Sequence, residues 1–304
     1  MQFSVIVLLY NSDKTALEKT LKSIVEQEGV SYEIILADDG SKNDCLQWAQ
    51  AYLDKGSGVS YKVSTHENVG TVENINIALA QATGKYVKCI GAGDLLFSKN
   101  TLKDIYIFML STECTMCFGK IQGYRETRNG IENLIIECPA DIESYIKQDI
   151  NKMKKNIIQN HGWIVGASMF YDTAKFKEYL QEIRGTVRFC EDLLQVLLLI
   201  KGESIRCFED GAVWYEVGTG ISTDNSVGSS TRMKNDHDKF WHYMKEKYGD
   251  NELVQKGIKM YQYQSIEDNK KRQFTIILKN PSYVMMLLKT KLQYKSYICE
   301  TTER

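Results

Sequence analysis

Between residues 3 and 94 the chain alternates short apolar runs with helical stretches, and each run stops abruptly at a polar turn. Residues 3–9 form an almost continuous apolar run, the pattern of a strand covered on both faces. Asn11-Ser12-Asp13 then offers helix caps, and Leu17, Leu21, Ile24 and Val25 fall on one helical face. Glu33 to Ala37 reads as a second buried strand ending in Asp38-Asp39-Gly40-Ser41, followed by a helix from Cys45 to about Lys55 and a strand over 59–64. The turn His66-Glu67-Asn68-Val69-Gly70 leads into a helix from Thr71 to about Thr83; Gly84 closes it, and Tyr86 to Ile90 runs to Gly91-Ala92-Gly93-Asp94. Strand–helix alternation at this spacing predicts an open α/β sheet.

The middle of the chain is less regular. Residues 101–110 read as helix, 114–121 as strand, 121–137 as a hairpin around Asn129-Gly130, and 140–158 as polar helix and loop. Trp163 to Tyr171 reads as a strand, Leu193 to Ile200 as a buried helix, and the Gly-, Ser- and Thr-rich stretch 218–231 as a mobile loop. A helical, Tyr- and Lys-rich region follows. Two units are therefore expected: 1–222, and a helical extension over 223–304.

Charge narrows the function classes. Lys and Arg number 38 against 39 Asp and Glu, so bulk charge gives no reason to expect a nucleic-acid partner. The balance is local, though: Lys270 to Arg304 carries eight cations and two acids. Apolar runs interleaved with those cations fit either an amphipathic segment on an anionic membrane or a helix packed on protein. No stretch approaches the roughly 20 apolar residues of a membrane span. Eight irregularly spaced cysteines in 304 residues argue for a reducing, cytoplasmic setting, and Cys114-x-x-Cys117, with no second pair, reads as packing.

Three acidic features stand at strand ends or helix starts: Asp38-Asp39, Asp94 and Glu191-Asp192. In open α/β sheets that is where ligands sit. Carboxylates there suit an uncharged sugar or base, and a divalent cation reconciles them with a diphosphate. Singly, each could be only a loop cap.

The residues resemble the bacterial family 2 glycosyltransferases of the GT-A fold, and in wording those that build O-antigens and capsules. The resemblance rests on Ser4 to Asn11, Ala37-Asp-Asp-Gly-Ser41, Glu67-Asn-Val-Gly70 with Asn76, Ala82-Thr-Gly84, Gly91-Ala-Gly-Asp94, Glu191-Asp192 and Tyr215 to Ser222. It implies a mostly parallel sheet flanked by helices, and inverting transfer from a UDP-sugar to a glycan or lipid-linked saccharide acceptor. By this resemblance Leu8, Tyr10, Asp39, Asn76 and Gly93 would line the nucleotide, with Asp39 on the uracil. Asp94 would bind Mn²⁺ or Mg²⁺, Asp192 would be the catalytic base, and Glu191 would stand at the acceptor side. A helix dipole near Asp192 is expected to keep it ionised. An acceptor carried on lipid would be met at the inner face of the cytoplasmic membrane.

Departures are visible. Gly91 and Gly93 replace the acids usual before Asp94, Ile75 stands where an Arg is frequent, Leu8 where a Thr is frequent, and Gly218 where some relatives have His. His237 and His242 read as helix-surface residues. The rival readings are a degenerate GT-A module that binds without turnover and a nucleotidyltransferase. The latter would need a Gly-rich basic loop after the first strand, which Asn11-Ser-Asp-Lys14 is not. Gly91-x-Gly93 lacks the third glycine of a dinucleotide fingerprint.

Overall fold

The apolar run at the start forms β1 (Phe3–Leu9), and its alternation serves two cores at once: Phe3, Val5, Val7 and Leu9 enter one, Ile6 the other. The computed structural model describes residues 1–55, 58–128, 130–218 and 227–295, with 227–230 and 295 as backbone only. The remaining strands are β2 (Tyr32–Asp38), β3 (Tyr61–Thr65), β4 (Tyr86–Gly91), β5 (Leu95–Leu96), β6 (Met116–Thr127), β7 (Gly130–Ile135), β8 (Met169–Asp172) and β9 (Ile205–Glu216). They make one sheet in the order β3-β2-β1-β4-β8-β6-β9-β5, with β7 on β6. The β3-β2-β1-β4 part is parallel; β8 runs antiparallel to β4 and β6.

This is the mostly parallel sheet that the resemblance implied, flanked by helices and followed by a helical C-terminal region. After β3 the chain crosses β1 to lay down β4 on its other side. The order reverses there, and a crevice opens beyond the carboxyl ends of β1 and β4. The acids after β2 and β4 stand at that end.

Buried side chains fill both faces. Leu17, Leu21 and Ile24 of the helix Lys14–Val25 join the core with Leu102 and Ile105. On the other face, Val72, Ile75 and Ala78 pack with Leu180, Leu194 and Leu197. Phe240, Trp241, Met244 and Val254 belong to that second cluster too, so the C-terminal helices share a core with the sheet.

Three expectations need correction. The stretch Trp163 to Tyr171 is a strand only from Met169; Gly166–Ser168 is a 3-10 turn. Gly-Ala-Ser offers little to a β ladder. The segment 140–158 is helical as expected but not wholly polar, since its helices Ile142–Ile146 and Ile150–Lys154 and the π-turn Lys155–Gln159 bury Tyr145, Met153, Ile157 and Ile158. Of the expected loop 218–231, residues 219–226 lie outside the described residues, and a helix runs over Val227–Tyr248. The hairpin forms as β6–β7, although Asn129 itself is outside the described residues.

Candidate active site

The crevice is a cleft of about 990 Å³. Leu8 and Tyr10 reach it from the end of β1, Asp39 from the end of β2, and Gly91 and Asp94 from the end of β4; Glu191 and Asp192 close it from across the sheet. The sequence-predicted acids therefore converge, although Asp94 and Asp192 stand 98 positions apart in the chain. Tyr10 is 51% exposed at the rim, free to lie along a planar ring.

Asp39 is spent locally. Its carboxylate accepts from the backbone N–H groups of Val69 (2.7 Å) and Gly70 (3.0 Å) and from the Asn68 amide (2.9 Å). It thus holds the 66–70 turn that starts the helix Thr71–Leu79 against β2. Asn76 lies away from the cleft, its amide donating to Glu73 (3.5 Å) and its oxygen accepting from Gln181. Asn74 lines the cleft instead, two residues earlier, with its amide on the Ala37 carbonyl (3.0 Å) and its oxygen on His66 (3.1 Å).

Gly93 does not line the cleft; it is built into the wall. Its N–H donates to Thr20 Oγ1 (2.9 Å), and its carbonyl accepts from Tyr124. At φ +103° any side chain would be strained here, and a Cβ would displace the Glu216 carboxylate. The Glu216 carboxylate thus lies over Gly93, and the Glu216 backbone N–H donates to Asp94 Oδ1 (3.1 Å). Burial pushes the Asp94 carboxyl up to about 7, against the Glu216 N–H and the Lys88 ammonium, while the Glu216 charge adds to the rise. Among the described residues no three potential ligands converge on one point. Two hard carboxylates fit a divalent cation whose other positions go to diphosphate and water. Asp94 and Glu216 are the residues that would hold it.

Glu191 and Asp192 sit in a single 3-10 turn, Glu191–Leu193, ahead of the helix Leu194–Lys201. Burial raises both, Glu191 to about 8 with help from the Asp192 charge, and Asp192 to about 6. The expected dipole effect is thus outweighed by desolvation. The turn is fixed from a distance: Asp236, 1% exposed, accepts from the N–H groups of Arg188 (3.1 Å), Phe189 (2.6 Å) and Cys190 (3.0 Å). His237, next to it, lines the cleft and is not the surface residue its helix suggested. Its ring lies 6.0 Å from Trp163 and 6.1 Å from Tyr261, and burial lowers its pKa. His242 is exposed and faces Glu246.

Sequence reasoning did not single out Asn74, Trp163, Glu216 or Asp236. Glu216 lay inside a quoted motif. Asp236, one acid in a polar helix, carries no local signal.

The glycosyl transferase family 2 model matches residues 4–180. Poly(ribitol-phosphate) beta-N-acetylglucosaminyltransferase TarS of Staphylococcus aureus is 34% identical over 127 residues, 40% of this chain and 21% of that protein, so the match spans about a fifth of that relative. Glycosyltransferase GlyG of Streptococcus pneumoniae is 26% identical over 187 residues, 61% of this chain and 59% of its own. The GalNAc(5)-diNAcBac-PP-undecaprenol beta-1,3-glucosyltransferase of Campylobacter jejuni is 33% identical over 97 residues, 32% of this chain and 31% of its own. Among solved structures, S. aureus TarS 1-349 in complex with UDP-GlcNAc superposes with TM-score 0.60 at 21% identity, covering 95% of this chain and 80% of that one. The mannosyltransferase PcManGT from Pyrobaculum calidifontis, with GDP-Man and Mn²⁺, gives 0.55 at 12%, covering 97% and 87%. With the family model spanning more than half of its length, the chain belongs to glycosyl transferase family 2.

Proposed function

We propose that this glycosyltransferase moves one sugar, with inversion, from a UDP-sugar to a polysaccharide or lipid-linked saccharide of the bacterial cell surface. The observation that carries the reading is the meeting of two acidic groups on one cleft: Asp94 with Glu216 at the β4 end, and Glu191-Asp192 opposite. A donor diphosphate needs the first group and an acceptor hydroxyl needs the second. Relatives named for UDP-GlcNAc binding and for an undecaprenol-linked acceptor support the same assignment.

Roles follow from position and protonation. Leu8, Tyr10 and Asn74 line the nucleoside side, with Asp39 shaping it through the 66–70 turn. Asp94 and Glu216 would hold Mn²⁺ or Mg²⁺, which supplies positive charge against the departing diphosphate. Burial raises both carboxyl groups, and the neighbouring Asp192 charge raises Glu191 further, so Asp192 ionises first and Glu191 is the one that holds a proton longer. Two carboxyl groups pushed apart in this way divide the labour. Asp192 takes the acceptor proton as the hydroxyl attacks the anomeric carbon, and UDP leaves from the opposite face. Glu191 donates a hydrogen bond on the acceptor side.

The C-terminal helices Asn269–Lys279 and Pro281–Lys295 suit an acceptor carried on the inner face of the cytoplasmic membrane. Phe274 (64% exposed), Ile277, Met285, Leu288 and Leu292 (70%) project outward, and between residues 269 and 295 there are seven Lys or Arg and no acid. Lys289 is paired with Asp141 (2.6 Å) and Glu143 (3.1 Å), and exposed apolar side chains on a segment that carries cations and no acid match an anionic lipid surface. No described helix is long and apolar enough to cross a membrane.

Calorimetric titration of UDP with and without Mn²⁺, on wild type and Asp94→Asn, tests the donor assignment. Metal-stimulated binding that disappears in the variant is expected. UDP binding in neither condition would overturn the UDP reading. Binding without turnover of any UDP-sugar would favour a binding module, the reading that the missing acids at 91 and 93 motivate.

A further inference from the structure

Lys88 is fully buried on β4, an unusual place for an ammonium. Moving such a charge out of water costs several kcal/mol unless it is compensated, and among the described residues no carboxylate stands within ion-pair distance of it. Its hydrogen bonds go to backbone carbonyls instead: that of Ala167, and that of Met169 at 3.3 Å. The Phe170 ring lies 4.8 Å from the same nitrogen. Burial lowers its pKa to about 8, while the charges of Asp94 and Glu191, and of Cys89 and Cys117, favour the protonated form.

The location explains the geometry. β4 pairs with β8 through Tyr86–Asp172 and Val87–Tyr171, then runs on beside β1 as far as Gly91. On the β8 side the chain leaves the ladder for the 3-10 turn Gly166–Ser168. The sheet therefore splits from Lys88 onward, and the cleft enters the split. The turn in the gap meets the catalytic pair closely: a Cβ on Gly166 would lie 3.0 Å from Glu191 Oε1 and 3.4 Å from Asp192 Cβ. Lys88 reaches across with an ammonium, whose three N–H donors can serve several carbonyls at once.

We propose that Lys88 is a positioning residue for sugar transfer: its buried ammonium clamps the split sheet by binding the 167 and 169 carbonyls, and so sets the wall against which Glu191 and Asp192 rest. The inference builds on the functional reading above, in which those two acids serve the acceptor. An apolar residue on this strand would pack without the desolvation cost, and would leave the two carbonyls without their donor.

Lys88→Met in the full chain tests it, read by amide hydrogen exchange over residues 164–169, by UDP titration, and by turnover of the UDP-sugar that the wild type uses. Exchange should quicken at least 10-fold, and kcat should fall by about 10²-fold, the effect of a displacement near 1 Å. Affinity for UDP should stay within about twofold. A folded variant with wild-type exchange and wild-type kcat overturns the clamp. Loss of thermal stability alone, with exchange and kcat retained, does so as well, because it leaves only a packing role. If Lys88→Met does not fold, Gly166→Ala presses the same contact from the other side, and a full kcat there overturns the proposal. A wild type that binds no UDP would sink the functional reading, while the exchange comparison still judges the clamp.

Discussion

The two walls of the cleft are built by different means. The wall made by β1, β2 and β4 takes its side chains from strand ends and from the turns that directly follow them: Tyr10, Asp39 and Asp94 each stand within a few residues of a buried apolar run. The opposite wall is assembled from pieces far apart in the chain. Glu191 and Asp192 rest on Gly166, the turn before them hangs from Asp236, and His237 stands 6.0 Å from Trp163. A strand end fixes a residue by local backbone geometry, whereas the second wall exists only once the tertiary structure has formed. Substitutions should therefore act locally on the first wall and at a distance on the second.

The largest effect is expected at the chemistry itself. Asp192→Asn should lower kcat by about 10²–10⁴-fold, the range for a lost general base, with UDP affinity retained. UDP-release kinetics and calorimetry on the same preparation check the split. Wild-type turnover would give the base role to another group. The wild type should also lose activity as pH falls through about 6, because Asp192, raised to about 6 by burial, must be ionised to accept a proton. In a pH–kcat profile, a flat response from 7 down to 5 would contradict that assignment.

Next in size is Asp236→Ala, the sharpest test of action at a distance. It strips three consecutive N–H groups of their acceptor. Each such loss in a buried place costs about 1–3 kcal/mol. Thermal unfolding should register a clear fall in stability, and kcat should drop more than UDP affinity does. Equal losses of both would mean that the loop 188–190 serves the two walls alike.

The same contrast governs what the sequence discloses. Strand–helix alternation and the Asp-ending runs give the parallel half of the sheet, and Asp39, Asp94, Glu191 and Asp192 all reach the cleft. Asn74 faces the cleft and Asn76 does not, although both lie on one short helix, because a motif fixes position only to within a turn. Gly93 reads as an absent ligand, yet its lack of a Cβ is what admits the Glu216 carboxylate at this end of β4. Asp236 was illegible for another reason. Its work is to accept from the backbone of a segment 46 to 48 residues earlier, and no periodicity records such a contact.

The smallest effect in solution, and the most selective, concerns the C-terminal helices. Ile277→Glu combined with Leu292→Glu changes two exposed positions (55% and 70%) that contribute nothing to either core. Exposed substitutions of this kind shift stability by about 0.5 kcal/mol or less, so unfolding, UDP affinity and turnover on a water-soluble acceptor should be unchanged. Binding to vesicles containing anionic lipid should fall, since two apolar anchors are lost and two negative charges face the surface. Retained vesicle binding would remove the membrane role from these helices. A change from dimer to monomer in the variant, with no vesicle binding by the wild type, would assign the exposed face to a second copy of the chain. Either result separates what the cleft does from where the enzyme does it, which the shared core of the sheet and the C-terminal helices otherwise ties together.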